Sequence, residues 1–159
     1  MNLPSQSSRP VYLLDTGPLS VLCGFPLNGE PYINTLLDYA GILLADGVVS
    51  EILAAQRGKI ARVVSPLLRD NDLTVVSTPN IPAILDVAYD KLLGTGERST
   101  IKVALANGVT PVVDDKDAFV VASRFGLHPV SFQDFIVQLA INYAMPKQTA
   151  TEIVRATAR

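Results

Sequence analysis

The stretch VYLLDTGPLSVL, residues 11 to 22, narrows what this chain can fold into more than any other. Val11 to Leu14 form a continuous apolar run with β-branched and aromatic members, the pattern of a buried strand. Asp15 ends that run, and Thr16, Gly17 and Pro18 turn the chain before apolar residues resume at Leu19. Such a strand needs cover on both faces, which crossover helices supply.

The same alternation recurs downstream. Ile33, Leu36 and Leu37 fall at helical spacing within Pro31 to Tyr39, and Gly41 to Ala45 read as a second short buried strand. Val48, Val49, Ile52 and Leu53 then share one helical face, and Gly58 divides a two-helix region. Leu73 to Ser77 form the next strand, and Asn80 is placed to cap a helix running from Ile84 to Leu92. Gly94 to Gly96 break the chain before a helix that Gly108 ends. PVVDD follows as a strand, KDAFVVASRFG as a helix, HPVS as a last short strand and SFQDFIVQLAINYAM as an amphipathic helix. Strands alternating with helices imply right-handed crossovers. The expected class is α/β, a three-layer α/β/α fold around a mostly parallel sheet of about four to five strands.

A chain of 159 residues, 48% of them hydrophobic, suits one domain with one sizeable core. Residues 1–10 read as a flexible polar N-terminal tail, 11–145 as the domain, and 146–159 as a helix-compatible C-terminal tail that packs in cis or on a partner. No apolar run approaches the roughly 18 residues that span a bilayer, so no membrane association is expected. The opening MNLPSQSSRP lacks the basic and apolar regions of a secretory signal, which points to a cytoplasmic address. A lone Cys23, read as core, and a lone His128 rule out a disulfide within the chain and a Cys/His zinc cluster. The net charge of −2 lacks the basic footprint of a passive nucleic-acid binder. It does not exclude a nuclease, because cations bound by clustered acids cancel their charge.

In an open parallel sheet the functional crevice lies beyond the carboxyl ends of the strands. Asp15 ends one strand, and Asp114 and Asp115 end another. Glu51 and Glu97 stand near the starts of helices that follow a strand or a glycine turn. Taken one at a time, each has a plain structural account as a turn former, a helix cap or a first-turn acid favoured by the macrodipole. Taken together, they gather at one edge, where carboxylates repel unless cations neutralise them. An all-oxygen donor set selects hard cations, Mg²⁺ or Mn²⁺, and suits metal-assisted phosphodiester hydrolysis.

These stretches resemble the PIN-domain ribonucleases, which include VapC-like toxins of toxin-antitoxin pairs. VYLLDTGPLSVL is similar to the family's opening strand with its Asp and following Thr or Ser. VVSEIL is similar to the second-acid helix, GTGERSTIKVALANG to the third-acid helix of a G-x-G-E subgroup, and PVVDDKDAFVVASRFGLHPVSFQDFI to the final strand, acid and helices. The resemblance runs from Val11 to about Leu139 and rests on the order and spacing of these motifs. It implies a PIN-like domain over 11–145 and a Mg²⁺- or Mn²⁺-dependent endoribonuclease acting on RNA. Asp15, Glu51, Glu97 and Asp115 become the catalytic quartet; Asp15, Glu97 and Asp115 become metal ligands, with Asp114 a second candidate beside Asp115. It further implies a homodimer and a cognate antitoxin protein. Val113 stands where the family often has a hydroxyl residue, and Ser99 where the subgroup usually has a second acid.

Thr16 is a candidate to hold Asp15 or a water at the site, and Arg98 and Lys116 are candidates for phosphate contact by adjacency. Two other readings stay open. One is a Toprim-like metal-dependent nucleic-acid enzyme using Asp115 and Asp117. The other is a non-catalytic PIN-like module that binds a protein partner and keeps its acids for structure.

Overall fold

The computed structural model describes residues 9–24, 26–27, 29–54 and 58–158. Apart from Arg9 and Pro10, the stretch expected as an N-terminal tail lies outside them. Four parallel strands form the main sheet: β1 (Val11–Leu14), β4 (Gly41–Ala45), β5 (Leu73–Val76) and β6 (Thr110–Val112), in the order β5-β4-β1-β6. The register pairs Tyr12 with Ile42 on one side of β1 and with Thr110 on the other. Ile42 in turn pairs with Leu73. A short antiparallel ribbon, β2 (Pro26–Leu27) with β3 (Glu30–Pro31), turns at Gly29, whose φ of 86° is open to a residue without Cβ. The sequence pattern did not announce this ribbon.

Nine helices surround the sheet among the described residues: α1 (Thr16–Gly24), α2 (Tyr32–Leu36), α3 (Asp46–Ala54), α4 (Gly58–Arg69), α5 (Ile84–Ala88), α6 (Thr95–Asn107), α7 (Lys116–Arg124), α8 (Phe132–Asn142) and α9 (Lys147–Thr157). Successive strand side chains point to opposite faces, and Tyr12, Leu13 and Leu14 are all buried, so helices cover both faces of β1. The fold is therefore three-layered α/β/α. On one face, Tyr12 meets the Phe135 ring of α8 edge-on at 4.7 Å and donates its hydroxyl proton to Gln138 at 2.8 Å. Cys23 is core, and burial pushes its thiol up to about 12.

Three local expectations change. The helix read from Ile84 to Leu92 is only the five-residue α5, and Asn80 does not cap it. Pro82 steers Ile81 away from helical conformation, and the chain turns again at Tyr89 to bring Leu93 into a small second core with Leu85, Ile101, Val113 and Val121. HPVS contributes no strand, only a single parallel bridge from Val130 to Val112, so the sheet has four strands. Residues 147–157 form α9, which packs in cis: Ala150 and Ile153 are buried in the main core beside Ile136 and Leu139 of α8. No helix among the described residues is long and apolar enough to cross a membrane.

Candidate functional site

The strand order decides where a site can form. The chain leaves β1 to build β4 and β5 on one side, then returns to place β6 on the other. Ligands in open parallel sheets collect beyond the carboxyl ends of the strands at such a reversal. Asp15 follows β1 there, its N–H still bonded to Val112 O of β6 at 3.1 Å. Asp114 and Asp115 lie just past β6, where Asp115 becomes the N-cap of α7. Glu51 comes from the second turn of α3, which starts directly after β4, and Glu97 from the first turn of α6.

Asp15, Thr16, Glu51, Glu97, Asp114 and Asp115, with Gly17 and Pro18, line one cavity of about 250 Å³. The five carboxylates that the sequence places at this edge, Asp15, Glu51, Glu97, Asp114 and Asp115, all line it. The hydrogen bonds on these acids follow a common pattern. Asp15 Oδ1 accepts from Thr16 N at 2.9 Å and from Thr100 Oγ1 at 3.2 Å. Glu51 Oε1 accepts from Thr16 Oγ1 at 2.8 Å, and Glu97 Oε1 from Gly94 N at 2.8 Å. Asp115 Oδ2 accepts from Ala118 N at 2.9 Å, and Asp114 Oδ1 from Phe132 N at 2.7 Å. Each of these bonds fixes one oxygen and so helps to orient the carboxylate, and Glu97 also meets the Asp115 side chain.

Electrostatically the arrangement is unbalanced. Asp15 is only 3% exposed, and burial pushes it up to about 6; the neighbouring Glu51 and Asp115 charges act in the same direction, against the hydrogen bonds from Thr16 and Thr100. Glu97 rises to about 7, first through burial and then through Asp115 and Asp15, although the Gly94 N–H favours its charged form. The ion pairs among the described residues lie elsewhere: Arg98 Nε stands 3.5 Å from Asp86 Oδ1, and Lys102 Nζ 2.6 Å from Asp86 Oδ2. Among the described residues no side-chain cation offsets the cavity's charge through a salt bridge.

The donor set is all oxygen, as a hard cation requires. Among the described residues no three or more such side chains are drawn closely enough together to hold a metal ion directly. The cavity is wide enough for several waters at roughly 30 Å³ each, so the acids suit a cation that keeps part of its hydration shell. Asp15, Glu97 and Asp115, with Glu51 and Asp114 lining the same cavity, are the residues that would hold it.

Two of the proposed substrate contacts do not face this cavity. Arg98 turns away, its guanidinium donating to Leu93 O at 2.7 Å and Asp90 O at 3.2 Å as well as pairing with Asp86. Adjacent helical residues point about 100° apart, so orienting Glu97 inward directs Arg98 elsewhere. Lys116 is exposed at the start of α7 and is not part of the lining, and neither is Asp117. Thr16 does reach the site, but its hydroxyl serves Glu51 rather than Asp15. Ser99, at the position of the subgroup's second acid, is buried against Gly47 outside the cavity.

Sequence reasoning missed Thr100 and Gly96. Thr100 is fully buried and binds Asp15; the available signal was its position one turn after Glu97 on the same helix. Gly96 lies inside α6 rather than in a preceding turn, and glycine within a helix carries a propensity cost that asks for a reason. Gly94 is the N-cap, and with no side chain of its own it leaves Glu97 to supply one half of a capping box.

No protein-family model matches the chain, and no curated protein matches it.

Proposed function

We propose that the protein is a Mg²⁺- or Mn²⁺-dependent endoribonuclease that hydrolyses RNA phosphodiester bonds, similar in its chemistry to the PIN-domain ribonucleases its motifs resemble. One observation carries this reading. Five carboxylates from four separate stretches of chain line one cavity at the reversal of strand order, each accepting a hydrogen bond and none, among the described residues, paired with a salt-bridge cation. A purely structural set of caps would have no reason to converge at a cost in mutual repulsion.

A bound divalent cation would supply charge neutralisation for the attacked phosphate and a lowered pKa for the attacking water. The chain's own groups do the rest. Asp15, fixed at a strand end, anchors the site, because a group on a rigid element keeps its geometry best. Glu51 and Glu97 line the cavity, where either carboxylate would orient a water and accept its proton. Arg98 is excluded from phosphate contact by its place against Asp86, so in this proposal the substrate phosphate is held chiefly through the cation. A toxin role with an antitoxin partner, and a homodimer, belong to the same proposal through the family resemblance.

The test is cleavage of single-stranded and structured RNA with Mg²⁺, Mn²⁺ or EDTA, using wild type and Asp15→Asn. The expected result is cleavage by wild type that EDTA and the substitution both abolish. Cleavage that survives both would mean another activity or a contaminant, and absence of cleavage with either metal would defeat the proposal. A small neighbouring gene for a DNA-binding protein whose product blocks cleavage would support the toxin role.

A further inference from the structure

We propose that Gly96 is a positioning residue for Glu51: by lacking a side chain it creates the seat in which the Glu51 carboxylate rests against Thr16 and faces the cavity. The role of this seat in catalysis rests on the nuclease proposal, whereas the geometry of the seat does not.

The observation is a reciprocal contact between α3 and α6. A Cβ at Gly47 of α3 would stand 2.1 Å from Ser99 Oγ and 2.7 Å from Ser99 Cβ. A Cβ at Gly96 of α6 would stand 2.0 Å from Glu51 Oε1, 2.9 Å from Glu51 Cδ and 3.0 Å from Thr16 Oγ1. Each helix thus places a side chain over the other's glycine, Ser99 over Gly47 and Glu51 over Gly96. The two contacts differ in kind. Ser99 is a short side chain, so its Cβ moves only with the α6 backbone, and Gly47 therefore sets the distance between the helices. Glu51 meets Gly96 with the end of a flexible side chain, which could swing aside without moving either helix. Gly96 is consequently dispensable for packing but required for where the Glu51 carboxylate lies. The hydrogen bond from Thr16 Oγ1 at 2.8 Å completes the seat, linking the acid on α3 to the residue that follows Asp15. Ser99 belongs to the same device: a larger acid there would have to fit over Gly47, where a Cβ and a hydroxyl already fill the space.

The test uses Gly96→Ala in the full chain. The expected protein melts at or above the wild-type temperature, since alanine favours the helix, and its crystal structure has the Glu51 carboxylate off Thr16. Metal-dependent RNA cleavage falls roughly 10- to 100-fold, the usual cost of losing a group that orients a site residue. Gly96→Ala combined with Glu51→Gln cleaves no more slowly than Glu51→Gln alone, and Gly96→Ala with the shorter Glu51→Asp recovers part of the loss. Wild-type cleavage by Gly96→Ala, additive losses in the double variant, or Glu51 still bonded to Thr16 in the crystal would each overturn the inference. If wild type itself does not cleave RNA, the nuclease proposal fails and the crystallographic position of Glu51 alone decides the seat. If Gly96→Ala does not fold, Thr16→Val releases Glu51 without adding bulk: the same loss supports the seat, and undiminished cleavage with Glu51 unmoved refutes it.

Discussion

Glu97 and Arg98 are neighbours on α6, yet they serve opposite electrostatic arrangements. Glu97 joins a cavity of acids with no salt-bridge cation among the described residues, whereas Arg98, with the buried Lys102 one turn later, converges on the single carboxylate of Asp86. One region carries uncompensated negative charge, and the other has two cations on one acid. The chain therefore possesses cations within a residue of its acid cavity and directs them away from it. The cavity's acids have no ion pair among the described residues, while the Asp86 cluster is complete within the protein and fastens α5 to α6.

The largest effect is expected from Asp15→Asn. RNA cleavage should fall by more than the roughly 10- to 100-fold that loss of an outer-shell partner costs. Stability should move the other way. Asp15 titrates at about 6 in the fold against 3.8 in the free side chain, so the folded state holds its proton more tightly. Stability is therefore full below about pH 4 and is lost as pH rises toward and through about 6. The amide can still accept the bonds from Thr16 and Thr100. In EDTA, Asp15→Asn should match wild type near pH 4 and exceed it by up to about 3 kcal/mol at pH 8, as read by chemical denaturation at the two pH values. An equal gain at both pH values would show that the buried charge is not the cause.

Metal addition tests the same asymmetry. At pH 8, Mn²⁺ at a hundred times its dissociation constant should stabilise wild type by about 2.7 kcal/mol. Asp15→Asn should gain much less, and a calorimetric titration of both proteins supplies the affinities. Equal stabilisation of the two would place the cation away from this cavity.

The Asp86 cluster should respond in the opposite manner. Asp86→Ala leaves Lys102, whose side chain is 6% exposed, without its anion, but Asp86 itself is half-exposed and water can partly replace it. A loss of about 1–3 kcal/mol follows, below that for a fully buried pair. The Mn²⁺-induced stabilisation should be unchanged, and Lys102→Met in the same background should restore much of the loss. Altered metal affinity in Asp86→Ala would show that the two regions are coupled through α6.

The smallest expected effect is that of Thr100→Val. Removing its hydroxyl costs about 1 kcal/mol and takes away a hydrogen bond that favours ionised Asp15. The acidic limb of the cleavage–pH profile should move to higher pH. A loss of stability with an unmoved profile would leave Thr100 a packing residue only.

Much of this was legible along the chain, for reasons that differ by element. β1, β4 and β5 announce themselves as short apolar runs bounded by turn residues, and α8 by its apolar stripe. The end of α5 was not legible, because what stops it is the burial of Leu93 in a second core that includes the distant Val113 and Val121. HPVS has strand composition but only one residue reaches β6, so its pairing ends at a bridge. Among the candidate site residues, the acids could be found by their position after strands and at helix starts. The direction of Arg98 could not, since it depends on Asp86 being there to receive it.

By itself, the sequence determined the alternation of buried strands and helices, and with it the edge at which Asp15, Glu51, Glu97, Asp114 and Asp115 emerge. Those are local matters of periodicity, turn chemistry and chain direction. That β6 lies beside β1, that Thr16 serves Glu51, and that Gly47 sets the approach of α3 to α6 while Gly96 leaves room for the Glu51 carboxylate became visible only in three dimensions. Each of those depends on a contact between residues far apart in the chain, where space and charge are shared by groups that no local pattern connects.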